Sequence, residues 1–310
     1  MTESGIKYSI VVPVFNAVNM LERLIHDIAL FIEPIGKFEI ILVDDCSSDG
    51  SWALLKQLKA KHSFLKIYRL SNNFGQAATT LCGIDRSAGE VIITIDDDLQ
   101  YPASEIPHMI RFYHENQYPM VLGIARKKQH SRRYLLATVL VRLLFWLRPS
   151  GHLNGRNISS SFRIFSAMLK KAVNHYGQKS GSIHLANHLL SPRFVGRLEV
   201  DHQPDSSGKK SGYSFRKRLN HFTDLLMVFN KDPLSWVLWP AILLMIVALT
   251  GFAIPFLGIA TDWLNHLILY LLPGVGAILL LSIMIVGKYV GHIRIHQLGM
   301  PPYLILEAYE

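Results

Sequence analysis

Cysteine is nearly absent: among 310 residues only Cys46 and Cys82 occur. They lack metal-ligand spacing, so a disulfide scaffold and a cysteine-based zinc site are excluded, and a reducing compartment is expected. Charge is also scarce, at 18% of residues, and it is lopsided: 32 Lys and Arg against 23 Asp and Glu, a net +9. Half the residues are hydrophobic and the mean hydropathy is +0.23. A basic chain of positive hydropathy points to a membrane protein with a basic cytoplasmic face. No segment interleaves aromatic and basic residues as nucleic-acid binding requires, so no nucleic-acid partner is expected. Residues 1–7 are polar, and Tyr8–Phe15 is too short and contains Pro13, so no secretory leader is expected. Repeats and low-complexity tracts are absent.

The longest absence is of basic residues. Residues 234–287 contain no Lys or Arg, and Asp262 is their only acid. This stretch divides into two apolar runs, 234–259 and 266–287, each long enough to cross about 30 Å of hydrocarbon. Arg216, Lys217, Arg218 and Lys231 precede the pair, Lys288 and Arg294 follow it, and the connection has no basic residue. The positive-inside rule then places both termini in the cytoplasm, with two spans in an inner or plasma membrane. Trp236, Trp239 and Trp263 suit interfacial anchoring.

Before the spans, strand and helix patterns alternate. Residues 9–15, 39–43, 66–70, 91–95 and 120–124 read as buried strands. Between them, Leu21, Leu24, Ile25, Ile28 and Ile32, then Leu54, Leu55 and Leu58, then Ala77, Ala78, Leu81 and Ile84 recur at helical spacing. Asn16 or Asn19 is the expected cap of the first helix, and Ser48 or Asp49 of the second. Such alternation predicts an α/β fold with a doubly wound, mostly parallel sheet. Two strands end in acids, at Asp44–Asp45 and at Asp96–Asp97–Asp98. In open α/β sheets ligands bind beyond the carboxyl ends of strands. Clustered carboxylates there repel one another and call for a cation. Oxygen donors select a hard ion, Mg²⁺ or Mn²⁺, with most of its shell left to water and substrate phosphate. The plain alternative is a solvated acidic turn.

The region beyond residue 125 differs. A basic run, Arg126 to Arg133, precedes an apolar helix candidate at about 134–147. It is too short to span a bilayer and is interrupted by Arg142, so it is either a buried helix or an interfacial one. Residues 159–165 and 198–202 read as strands, 167–175 and 183–190 as helices, and 205–212 as a polar loop. Residues 214–230 carry Arg216, Lys217 and Arg218 on a helix that otherwise presents Phe215, Leu219, Phe222, Leu225, Leu226 and Phe229. That pattern predicts a juxtamembrane amphipathic helix lying on anionic lipid.

The ordered set VVPVFN (11–16), VDDCSSDGS (43–51), NNFGQ (72–76), IDDDLQYP (95–102), GIAR (123–126), SFRIF (161–165), KSGYSF (210–215) and GKYVGHI (287–293) resembles one family. It is the polyprenyl-phosphate group of family 2 glycosyltransferases, similar to dolichyl-phosphate mannose synthase and bacterial undecaprenyl-phosphate sugar transferases. The resemblance implies a GT-A domain over residues 1–213, a juxtamembrane helix at 214–231, a two-helix hairpin at 232–290 and a cytoplasmic tail at 291–310. It implies a nucleotide-sugar donor with UDP favoured, a divalent metal, a lipid-phosphate acceptor and a homo-oligomer. Pro13, Val14, Asn16, Asp44 and Asp45 would hold the nucleobase and ribose. Asp96 and Asp98 match the family's DxD, with Asp98 on the metal and Asp96 on the ribose or the metal's water shell. Asp97 would point away, and Gln100 would face the sugar. Arg126 and Arg133 match positions near the diphosphate or acceptor phosphate, and Lys209, Lys210, Ser211 and Tyr213 match the acceptor loop. Ser161 and Arg163 complete the expected catalytic set.

This sequence departs from that pattern. Relatives carry an acid in the segment before Phe162 and Arg163; here Asn157, Ser160 and Ser161 stand there, and no acid lies between Gly151 and Ala172. An acceptor phosphate is already ionised near neutral pH, so it can attack without a base. The rival readings are a non-catalytic membrane scaffold, motivated by the missing acid, and a polysaccharide synthase. The second lacks its Arg-Trp motif here, and two spans do not enclose a channel.

Overall fold

The computed structural model describes residues 5–126, 160–180, 190, 192–204 and 303–310, together with scattered helical positions between 275 and 290. Two compact units divide the chain, residues 1–210 with 301–310 and residues 211–300. The first is built on an eight-stranded sheet.

Strands β1 (Tyr8–Val14), β2 (Phe38–Asp44), β3 (Leu65–Leu70) and β4 (Val91–Thr94) alternate with helices α1 (Val18–Ile32), α2 (Ser51–Lys61) and α3 (Gln76–Arg86). Helix α4 (Glu105–Asn116), β5 (Met120–Ala125), β6 (Arg163–Ser166), α5 (Ala167–Ser180), β7 (Val195–Val200) and β8 (Ile305–Tyr309) follow. The strand order is β7-β5-β6-β4-β1-β2-β3-β8. Parallel pairing joins β3, β2, β1 and β4, and also β5 with β7. β6 runs antiparallel between β4 and β5, and β8 antiparallel beside β3. The sheet is therefore mostly parallel, as its apolar runs predict, with two reversed strands.

The runs are apolar on both faces because helices cover both. Successive side chains alternate across a strand, so Ile10, Val12 and Val14 enter one buried cluster and Val11 the other. Helix α1 packs Met20, Leu21, Leu24, Ile25, Ile28 and Ile32 into the first cluster. Each such side chain contributes about 2 kcal/mol of burial free energy, an upper figure for a compact unfolded chain. Helix α3 lies so close to β1 that a Cβ on Gly83 would collide with Val11 Cγ1.

Three sequence readings change, one being the cap of α2, which is Gly50 at φ 90° and not Ser48 or Asp49. Neither Asn16 nor Asn19 caps α1: Ala17 occupies the cap position without a side-chain bond. Instead Asp49, from the loop after β2, accepts from Val18 N at 3.1 Å and from Ser51 N at 3.0 Å, serving the first turns of α1 and α2 together. The segment drawn as a tail, 291–310, ends as sheet: its last residues form β8. A lone pentapeptide gives no local signal for pairing with a strand more than 200 residues away.

Among the described residues, no helix is long and apolar enough to cross a membrane. The helices expected at 134–147 and 214–230, that at 183–190 except its last residue, the span at 234–259 and most of that at 266–287 lie outside the described residues.

Candidate functional site

Because β1 to β4 are parallel, their carboxyl ends share one rim, where Asn16, Asp45, Ser71 and Asp96 follow their strands. Its loops are tied to each other by side chains. Asn16 adopts φ 50°, accepts from Ser48 N through Oδ1 at 2.9 Å and donates its own N–H to Ser47 Oγ at 2.9 Å. Asp45 is 3% exposed and receives the amides of Phe74 at 2.7 Å and Gly75 at 2.9 Å. Burial raises its pKa, and those amides oppose the rise. Asp44 is fully buried, accepts from Ser47 N at 3.2 Å and lies 3.5 Å from Arg69 Nε. Burial raises its pKa as well, against the Ser47 bonds and the Arg69 charge.

Three residues assigned to the nucleotide also carry structural contacts. Val14 turns its side chain into the core, Asp44 is enclosed beneath the rim, and Asp45 holds the loop after β3 in place. Pro13 does line a cleft, with Gln76, Thr80, Thr94, Asp96, Ser161 and Arg163.

Asp96 is the centre of that cleft. Gln76 Nε2 donates to its Oδ1 at 2.6 Å, and the Ser161 hydroxyl bonds it as well. Burial raises its pKa to about 6, the charges of Asp98 and Asp97 add to the rise, and Ser161 and Arg163 oppose it. Arg163 is the first residue of β6, opposite Thr94, and is 2% exposed. Burial lowers its pKa to about 10, and Asp96 is the main charge countering that. Ser161 also offers its carbonyl to Thr94 Oγ1 at 2.5 Å. Asp97 Oδ2 accepts from Phe15 N at 3.0 Å and so ties the rim of β4 to that of β1. Asp98 Oδ1 accepts from Gln100 N at 3.0 Å, in a loop where Leu99 takes φ 58°.

Gln100 links the carboxylate loop to the far side of the rim, since its carbonyl accepts from Gln203 N at 2.8 Å. Tyr101 packs on Phe162 and meets His202 edge-on at 5.0 Å. Arg126, at the end of β5, donates its amide to Val200 O and pairs through Nη1 with Asp201 at 3.1 Å. Both partners of that pair are mostly exposed. Arg133, Lys209, Lys210, Ser211 and Tyr213 lie outside the described residues. Asp96, Ser161 and Arg163 therefore meet in one cleft with Pro13, and Asp98 and Gln100 continue its rim.

Gln76 is marked only by its position at the start of α3, on the shared rim. Asp201 carried no signal before β7 was paired with β5.

The model of glycosyl transferase family 2 matches residues 9–177, more than half the chain. The chain belongs to this family. Among solved structures it resembles mannosyl-3-phosphoglycerate synthase from Rubrobacter xylanophilus at 15% identity, over 73% of each chain, with a TM-score of 0.54. Glucosyl-3-phosphoglycerate synthase from Mycobacterium tuberculosis, in complex with uridine diphosphate, matches at 15% identity over 73% of this chain and 81% of that one, with a TM-score of 0.50. The 1–349 fragment of TarS from S. aureus matches at 21% identity over 63% of this chain, with a TM-score of 0.46. The match takes in 58% of that fragment, less than two thirds of its length. The sheet and its rim are thus those of a family 2, GT-A-type domain.

Do the rim residues fit a divalent metal? Three consecutive carboxylates supply hard oxygen donors, and their mutual repulsion helps raise the Asp96 pKa, which a cation would reverse. Among the described residues no group of three or more His, Cys, Asp and Glu converges as a metal site. Two carboxylates, with water and substrate phosphate completing the shell, match the way Mg²⁺ is held. The donor set fits such an ion.

Proposed function

We propose that this protein is an inverting glycosyltransferase that moves a sugar from a nucleotide sugar, a UDP-sugar foremost, to a polyprenyl phosphate at the cytoplasmic leaflet. The observation that carries this reading is the cleft where Asp96 meets Gln76, Ser161 and Arg163, with Asp98 on the same rim. It supplies carboxylates for a metal-bound diphosphate and a buried cation behind them.

Asp98 and Asp96 would hold the ion, which when bound neutralises charge on the departing diphosphate. Gln76 and Ser161 orient the Asp96 carboxylate, and Arg163 favours its charged form. Arg126 stands at the end of β5 to meet phosphate. A phosphate oxygen of the lipid attacks the anomeric carbon as the bond from that carbon to the diphosphate oxygen breaks. The diphosphate leaves with the electron pair. No proton need leave the nucleophile, so Ser161 can stand where relatives carry an acid, and positioning with charge stabilisation supplies the rate.

Sheet topology supports a membrane hairpin. β7 and β8 are the two edges of one sheet, so a chain that leaves after β7 and returns at β8 crosses any bilayer an even number of times. Parallel β7 ends at the rim and antiparallel β8 begins there. Exit and return therefore flank the carboxylates, roughly 33 Å apart at ordinary strand spacing. Two spans at 234–259 and 266–287 are such an even number.

The test is transfer from a panel of radiolabelled nucleotide sugars to undecaprenyl phosphate in detergent, with Mg²⁺, Mn²⁺ or EDTA, for wild type and Asp98→Ala. One donor should be used, with transfer lost in EDTA and in the variant. Folded protein that uses none of the donors would favour the non-catalytic scaffold.

A further inference from the structure

The C-terminal strand meets the rim at its donor side. We propose that β8 positions the donor-binding loops and that Glu307 is the positioning residue through which it does so; this rests on the function proposed above.

Two contacts reach two consecutive loops. Where the chain returns, Leu304 O accepts from Ser71 N at 2.8 Å, at the first residue beyond β3. That residue opens the loop whose Phe74 and Gly75 amides bind Asp45 and whose Gln76 side chain holds Asp96. The other contact runs through Glu307. Its Oε1 accepts from Trp52 Nε1 at 3.1 Å and lies 3.6 Å from Arg69 Nη1. Arg69 in turn lies 3.5 Å from the buried Asp44, which anchors Ser47, and its guanidinium stacks 5.8 Å over the Trp52 ring. Trp52 is 5% exposed on α2 and also packs against Tyr309.

Glu307 therefore fixes the arginine that balances Asp44 and the tryptophan that seats the first turn of α2. Asp49 joins that turn to α1, and the neighbouring Ser48 amide donates to Asn16 Oδ1. None of these groups reaches the cleft, so Glu307 acts through others. Its loss should loosen the loops after β2 and β3 and leave the loops after β5 and β7 as they are. Donor affinity should fall while turnover at saturating donor holds.

The full chain in detergent is compared as wild type, Glu307→Ala, Glu307→Gln and the control Leu306→Ala, whose side chain is 63% exposed. UDP and GDP binding are measured directly by calorimetry, and transfer kinetics are measured with the donor and the lipid phosphate varied separately. Glu307→Ala should weaken nucleotide binding and raise the donor KM by roughly five-fold or more. The lipid KM and kcat should stay within about two-fold. Glu307→Gln keeps the Trp52 bond and should lie between, and Leu306→Ala should match wild type. Unchanged nucleotide binding in Glu307→Ala, or equal losses of donor and lipid affinity, would overturn the proposal. A wild type that binds neither nucleotide would instead overturn the proposed function on which it rests.

Discussion

The two sides of the rim are built differently. On the side of β1 to β4, carboxylates bridge one loop to the next: half-buried Asp97 to Phe15, exposed Asp49 to Val18 and Ser51, buried Asp45 to Phe74 and Gly75. On the side of β5 and β7, Arg126 and Asp201 form an exposed pair, and Gln203 reaches Gln100 through one backbone bond. Among the described residues, a site preorganised on one side and loosely tied on the other suits a compact, invariant ligand such as a nucleoside diphosphate on the first. A long acceptor that must enter and leave suits the second.

The largest effect should come from Asp98→Ala. Transfer should fall about 10³-fold, the order lost when one transition-state charge stabiliser is removed. Thermal unfolding should barely move, because Asp98 is only half-buried, in a rim loop outside both buried clusters. A matching loss of stability would mean that the rim is structural. Asp45→Ala should do the reverse in stability: two amides lose a charged acceptor, at a cost of about 2 kcal/mol. Denaturant titration should show a lower midpoint with an unchanged slope.

Asp96→Asn should uncouple stability from activity. Its folded pKa of about 6 lies above the ordinary 3.8. Below about pH 4 the carboxyl is protonated folded or unfolded, so it costs nothing there. Between pH 4 and 6 the unfolded chain releases the proton first, so stability falls as pH rises, and the full cost stands above pH 6. Asp96→Asn removes that cost. Its gain over the ligand-free wild type should grow from pH 4 to 6 and level off at no more than about 3 kcal/mol, while transfer is lost. A gain independent of pH would show that the carboxylate is not strained by burial. The smallest stability effect should belong to Arg126→Ala. An exposed pair contributes about 0–1 kcal/mol, so the unfolding midpoint should hardly shift while transfer drops.

The parallel strands were legible because both faces are covered, which makes each run continuously apolar. The carboxylates were legible as rim residues for the same reason: they sit where apolar runs stop. Which of them face a ligand was not. A strand end alternates its side chains, so Asp44 turns under the rim toward Arg69 while Asp45 turns into a neighbouring loop, and adjacency in sequence makes them look equivalent. The cap of α1 was missed because it comes from Asp49, across from another loop. β8 was hidden by distance along the chain, since Ile67 pairs with Tyr309.

The measurement closest to the central claim is amide hydrogen exchange of the full chain in detergent with Mg²⁺, recorded free, with UDP or GDP, and then with undecaprenyl phosphate added. Nucleotide should slow exchange in the loops at 45–50, 71–76 and 96–100 and leave 123–126 and 195–204 unchanged until the lipid is present. Protection by nucleotide alone at 195–204, with none at 71–76 or 96–100, would contradict that claim.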